Sequence, residues 1–277
     1  MKRYRVLDFG FDSRAWMLSE EIQPSWEPEV QALWRDNKAR LRQQLLAEYG
    51  SFNFDTKVTN FIDFGRIPFS IFAFHNRFVD QIRRAVVMGA FYPALVASCA
   101  LGERVLNHLV IALREDFRAT VQYKRVRTKD SFDNWHLAID TLQSWGVLLP
   151  EAASGFRNLH SIRVRAIHFR PEVDTNDRAL ALEAVACLLR IIEVQFGPAG
   201  HHPWLLPDMN GEDFIAKAAE SLPFVRRIVL QNCRLVGPRH TLAFEDGRWI
   251  VKDDHAYEDR EVSDDEFREL RKLAKAG

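Results

Sequence analysis

The sequence predicts a mainly α protein: an up-and-down helical bundle, preceded by an N-terminal strand-helix segment and followed by a small C-terminal α/β appendage. Three observations predict it. Apolar residues recur at helical spacing through most of 70–197; one segment there is apolar on nearly every side and needs neighbours to enclose it; and only the two ends of the chain alternate as strands do. With 47% hydrophobic residues in a chain of 277, a sizeable core can be buried.

Taken in order, "MKRYRVLDFGF" mixes aromatic and β-branched residues in loose alternation, as a strand does. "PSWEPEVQALWRDNKARLRQQLLAEYG" then changes to helical spacing. Pro28 suits an early helix position, Val30, Leu33, Trp34, Leu41 and Leu45 form a stripe, and Gly50 ends it. "SFNFDTKVTNFIDFGRIPFS" lacks sustained periodicity and is expected to be a linker whose phenylalanines pack on a neighbour. Residues 1–69 therefore form an N-terminal segment and linker.

Five helices are expected across 70–200. "SIFAFHNRFVDQIRRAVVMGAF" is the first and the nearly all-apolar "YPALVASCALGERVLNHLVIALREDFR" the second. "SFDNWHLAIDTLQSWGVL" is the third, with Ser131 as N-cap and Gly146 as stop, and "AASGFRNLHSIRVRAIHF" the fourth. "TNDRALALEAVACLLRIIEVQFG" is the fifth, capped at Thr175 or Asn176 and ended by Gly197. Short connections favour up-and-down packing. In 201–277, "RRIVLQNCRLVG" and "RHTLAFEDGRWIVKD" read as strands, the second folding at Asp246-Gly247 into a hairpin, and "SDDEFRELRKLAKA" opens with a capping box from Ser263 to Glu266.

Thirty-eight basic residues balance thirty-eight acidic ones, so affinity for a polyanion has to come from a local patch. Cys99, Cys187 and Cys233 are odd in number and embedded in apolar segments, as reduced core thiols in the cytoplasm are. Asp8 and Asp12 interrupt the apolar N-terminal run, which argues against a signal peptide or a membrane span. The signatures GxxxxGK[ST], GxSxG, HExxH and CxxC are missing. His201 and His202 have no carboxylate or cysteine at a familiar ligand spacing, so neither a metal nor any other cofactor is expected.

"RNLHSIRVRAIHFRPE" remains, with a basic cluster at the end of an apolar helix. RNA is cut without a metal when its own 2′-hydroxyl attacks the adjacent phosphate, which needs a base near neutral pKa and a cation for the charge on phosphorus. Histidine and arginine supply these.

Arg163, four residues and then His168, spelled "RVRAIH", resembles the R-x4-6-H motif of HEPN domains, a helical-bundle family found in prokaryotic toxin and antiviral ribonucleases. "GAFYPALVASCALGERVLNHLVIAL" is similar to that family's long second helix, with Glu103 at its acidic position, and the resemblance covers roughly 70–197. The same spacing also occurs at Arg234 to His240 and Arg248 to His255, in the expected strands. The residue after the motif arginine, polar in the family's active ribonucleases, is Val164 here.

The resemblance implies an endoribonuclease leaving 2′,3′-cyclic phosphate ends, a toxin or defence effector paired with an antitoxin or defence-complex partner. It implies a homodimer through the bundle, with Arg163 and His168 catalytic and Glu103, Asn158 and His160 in support; helix spacing adds Arg165 as a supporting residue. A silent module binding RNA, nucleotide or a partner protein is the alternative. On an ideal helix Arg163 and His168 lie about 140° apart, whereas Arg165 is the i,i+3 neighbour of His168. The pair meets only if the helix starts or bends between them, or if a second copy completes the site. RNA is expected on Arg157 and Arg170 and on the basic connection carrying Tyr123, Lys124, Arg125 and Arg127, provided that connection lies at the same end of the bundle.

Overall fold

The computed structural model describes residues 1–7, 11–71, 73–167, 176–197, 202–209, 211–245 and 248–276. It is mainly helical and divides into two compact units, Phe9–Gly197 and a second made of Met1–Asp8 with Pro198–Gly277.

The larger unit contains α1 (Arg14–Ser19), α2 (Pro28–Tyr49), α3 (Phe54–Phe64), α4 (Ala73–Val87), α5 (Phe91–Leu113), α6 (Val121–Val126), α7 (Trp135–Ser144), α8 (Pro150–Ile167) and α9 (Asp177–Phe196). At its centre, α5 packs against α4, α7, α8 and α9. Leu95, Val105, Leu106, Leu109, Val110 and Leu113 are at most 1% exposed, which is why this segment has apolar residues on almost every side. The stretch Phe91–Phe117 is also long and apolar enough to cross a membrane, and 56% of its apolar window is buried inside the protein.

Helix α5 approaches its neighbours closely at Gly102. A Cβ there would stand 2.6 Å from a Leu159 methyl and 3.0 Å from the Trp135 ring, and both side chains are at most 1% exposed. Gly102→Val is therefore expected to destabilise the unit by about 1–3 kcal/mol from overpacking, outweighing a few tenths gained in helix propensity. A urea midpoint equal to that of the wild type would contradict this close approach.

Several elements differ from expectation. The segment taken as a linker contains α3, whose Val58, Phe61 and Phe64 lie three residues apart and are buried. Phe61 shares a core cluster with Ala15, Leu45, Tyr49 and Val87, so α1 to α3 belong with the bundle and not to a separate 1–69 segment. On α2 the buried residues are Leu45 and Tyr49, both near its C-terminal end, while Val30 and Leu33 are exposed. Asn134 caps α7 in place of Ser131, its side chain accepting from the Leu137 N–H at 3.0 Å. Gly50 and Gly146 end their helices at φ 76° and 67°, as expected of residues without a Cβ.

In the second unit, β1 (Arg3–Val6) pairs antiparallel with β2 (Cys233–Val236), which separates it from the helix that follows it in sequence. Residues expected to extend β2 backwards instead form helical turns, Val225–Val229 and Leu230–Asn232. Val225, Ile228 and Val229 are buried at i, i+3 and i+4, a helical spacing behind a strand-like composition. β3 (Thr241–Glu245) and β4 (Arg248–Lys252) form the expected hairpin, and Asp246-Gly247 lies outside the described residues. α10 (Asp264–Ala276) begins with Ser263 accepting from the Glu266 N–H at 3.1 Å, while the Glu266 carboxylate pairs with Arg260.

Candidate functional site

Glu103 on α5 and Arg163 on α8 face one another, with Arg163 Nη2 3.2 Å from Glu103 Oε2. The same carboxylate oxygen accepts from Trp135 Nε1 at 3.0 Å, and the Arg163 guanidinium stands 6.0 Å from the Trp135 ring centre. Three helices thus hold one arginine. Arg163 and Glu103 side chains are 29% and 27% exposed, so the pair keeps contact with solvent at the wall of an open cavity of about 440 Å3. Cys99, Arg104, Asn107 and Asp130 line the same space.

His160, one turn before Arg163, packs 5.6 Å from Trp135 and edge-on to His136 at 4.9 Å. Burial, then His136 and Arg163, hold its imidazole below the ordinary value against the opposing pull of Glu103. It is therefore neutral at pH 7 and able to accept a hydrogen bond. Asn107 pins the segment entering α7: its Nδ2 donates to the Phe132 carbonyl at 3.1 Å and its Oδ1 accepts from the Phe132 N–H at 2.6 Å. Burial pushes the Cys99 thiol up to about 12 even with Arg163 pulling it down, so it is no thiolate nucleophile at neutral pH.

The residues expected at the site divide into three groups. Arg163, Glu103 and His160 come together. Asn158, Arg165 and Arg157 do not: Asn158 reaches Cys187 Sγ at 3.7 Å, Arg165 pairs with Glu183 at 2.8 Å, and Arg157 bonds Asp140 and Gln143 on α7. His168 and Arg170 lie outside the described residues. α8 is continuous from Arg163 through Ile167, so no helix start falls within that stretch.

The basic connection is not at the Arg163 end of the bundle. Tyr123, Lys124 and Arg125 lie on α6 and Arg127 just after it. This segment is tied to the far end of α5, where Arg114 donates to the Val126 carbonyl, Tyr123 donates to Glu115, and Trp145 donates to Thr120. Ten residues of helix, about 15 Å at 1.5 Å per residue, separate Glu103 from that end.

The other two R-x4-6-H spacings fall in the second unit. His240 is fully buried and Nδ1 donates to the Gly237 carbonyl at 2.7 Å. Nε2 then accepts from Arg5 at 2.5 Å, because a guanidinium only donates. His255 follows β4 and packs on Tyr257 at 6.3 Å. His201 lies outside the described residues and His202 stacks on Trp204 at 4.8 Å; among the described residues no three His, Cys, Asp or Glu side chains gather as metal ligands would.

A signal missed in the sequence was the polar set Glu103, Arg104, Asn107 and His108, which at i, i+1, i+4 and i+5 marks one face of an otherwise apolar helix. Compared with protein-family models, with curated proteins and with solved structures, the chain shows no match.

Proposed function

We propose that the protein is a metal-independent endoribonuclease of the HEPN type, acting as a cytoplasmic homodimer in a toxin or defence system and held in check by an antitoxin or defence-complex partner. The observation that carries this reading is the Arg163–Glu103 pair across facing helices at the edge of a cavity. It is the arginine-acid arrangement implied by the family resemblance, and it leaves a forked cation beside open space.

In the proposed reaction, His168 of one copy takes the proton of a 2′-hydroxyl as its oxygen bonds to phosphorus. The P–O5′ bond breaks, and the same histidine of the second copy protonates the departing 5′-oxygen. Products are a 2′,3′-cyclic phosphate and a 5′-hydroxyl. Arg163 stabilises the charge on the phosphorane, and Glu103 is a positioning residue for it. The unbroken helix through Ile167 favours completion by a second copy over convergence within one chain.

The test is cleavage of a mixed RNA pool by purified protein in excess EDTA, with product ends read by mass spectrometry. The wild type is expected to cut and His168→Ala, checked for folding and dimerisation, to lose at least about a hundredfold in rate. A requirement for a divalent metal, or full activity in His168→Ala, overturns the mechanism. The second reading, a silent RNA-binding module, draws on Val164 after the motif arginine and on the existing engagement of Arg163 by Glu103. RNA binding without turnover selects it.

A further inference from the structure

Next to the Arg163 cavity, and sharing Arg104 and Asn107 with it, lies a second open cavity of about 600 Å3 between α4 and α5. Arg77 and Phe78 from α4 and Arg104, Asn107 and His108 from α5 line it, with no carboxylate among them. Among the described residues neither Arg77 nor Arg104 has a salt-bridge partner, whereas Arg163, Arg165 and Arg157 are each paired. The Arg104 guanidinium lies 5.2 Å from the Phe78 ring centre, a cation held against an aromatic ring, and its N–H donors have no carboxylate partner among the described residues.

The histidines add no charge here. Burial, then Arg104, holds His108 below its ordinary value, and burial, then His108 and Arg104, brings His75 down to about 3. At neutral pH the cavity therefore carries two guanidinium charges, an aromatic face and a neutral imidazole. Asn107 is already committed to the Phe132 backbone and acts as wall, not ligand.

We propose that this second cavity binds the sugar-phosphate backbone of single-stranded RNA, with Arg77 and Arg104 on phosphates and Phe78 available to a base, and feeds the strand towards Arg163. Phosphate recognition by fixed guanidiniums and stacking on an aromatic ring are the two terms such a groove needs. The identity of the ligand rests on the ribonuclease reading. The location replaces α6, whose basic residues lie at the far end of α5.

The experiment measures anisotropy of a fluorescein-labelled, fully 2′-O-methylated single-stranded RNA, which has no attacking hydroxyl, so binding is read without cleavage. Arg77→Gln and Arg104→Gln are each expected to weaken binding about five- to tenfold and to lower the slope of log affinity against log salt by about one. A Lys124→Gln/Arg125→Gln double variant is expected to bind as the wild type does. Folded groove variants binding within twofold of the wild type, equal loss in the α6 variant, or no binding by the wild type at low salt overturns the proposal. Cleavage of ordinary RNA separates the two readings. A wild type that cuts while groove variants bind normally leaves the nuclease standing without this groove; groove-dependent binding without cutting leaves the groove standing without the nuclease.

Discussion

Replacing Glu212 by Gln is expected to lower the stability of the unit formed by the N-terminal strand and 198–277 by about 3–5 kcal/mol. One carboxylate there serves three cations. Arg271 grips it with two N–H groups at 2.8 and 2.5 Å, Arg5 lies at 3.1 Å, and Lys275 at 3.0 Å. Arg5, Glu212 and Arg271 side chains are 7–8% exposed, so neither guanidinium can recover its hydration once the charge is gone, whereas the half-exposed Lys275 can. A glutamine keeps the shape but turns an NH2 donor towards groups that only donate. Arg271 also bonds the Pro238 and His240 carbonyls at 2.7 Å each, so the loss spreads to the turn before β3.

The same carboxylate gives the pH dependence its sign. Burial raises its pKa, but hydrogen bonds from Arg271 and Lys275 and the nearby Arg5 charge lower it further, to about 2. A folded value below the unfolded one, roughly 4.3, means stability is fully present above that pH and is lost as pH falls towards 2. Hydrogen exchange localised to 202–276 at several pH values measures both effects. A Glu212→Gln unit within about 0.5 kcal/mol of the wild type, a size ordinary for surface changes, sinks the argument.

What the sequence made legible followed from signals that local chemistry alone decides. Pro28, Gly50 and Gly146 mark helix ends through φ, and the Ser263 cap needs only its neighbours. α3 was missed because Lys57 and Asn60 interrupt its apolar pattern; both are buried, and Lys57 is satisfied at 2.6 Å by the Tyr49 carbonyl, a partner on another helix. The pairing of β1 with β2 spans almost the whole chain and leaves no local trace. At the site, Arg163 and Glu103 were legible through the motif resemblance, and a carboxylate on an apolar helix needs a partner. Arg165 was expected there as the i,i+3 neighbour of His168 and Arg157 as an RNA contact, yet at 100° per residue they turn to α9 and α7.

That angular separation makes the contrast between the two arginines the sharpest test of the site. In a folded dimer, Arg163→Ala is expected to reduce RNA cleavage by about 10²–10³-fold, the cost of removing one donor aimed at developing charge. Arg165→Ala is expected to leave it within about threefold, since Arg165 and Glu183 form a pair with both side chains more than 40% exposed and such pairs contribute little. Arg163→Lys keeps the charge but loses the planar fork, so it should fall between them. Glu103→Gln isolates positioning: its amide oxygen can still accept from Trp135 Nε1, as Glu103 does at 3.0 Å, while the ionic grip on Arg163 is gone. Its kcat should fall with KM nearly unchanged, and Glu103→Asp should recover part of the loss. Steady-state cleavage rates of a short defined RNA in EDTA give all five comparisons. If Arg165→Ala abolishes cutting while Arg163→Ala does not, the active face of α8 is the one turned towards α9, and the cavity beside Glu103 is not where RNA is cleaved.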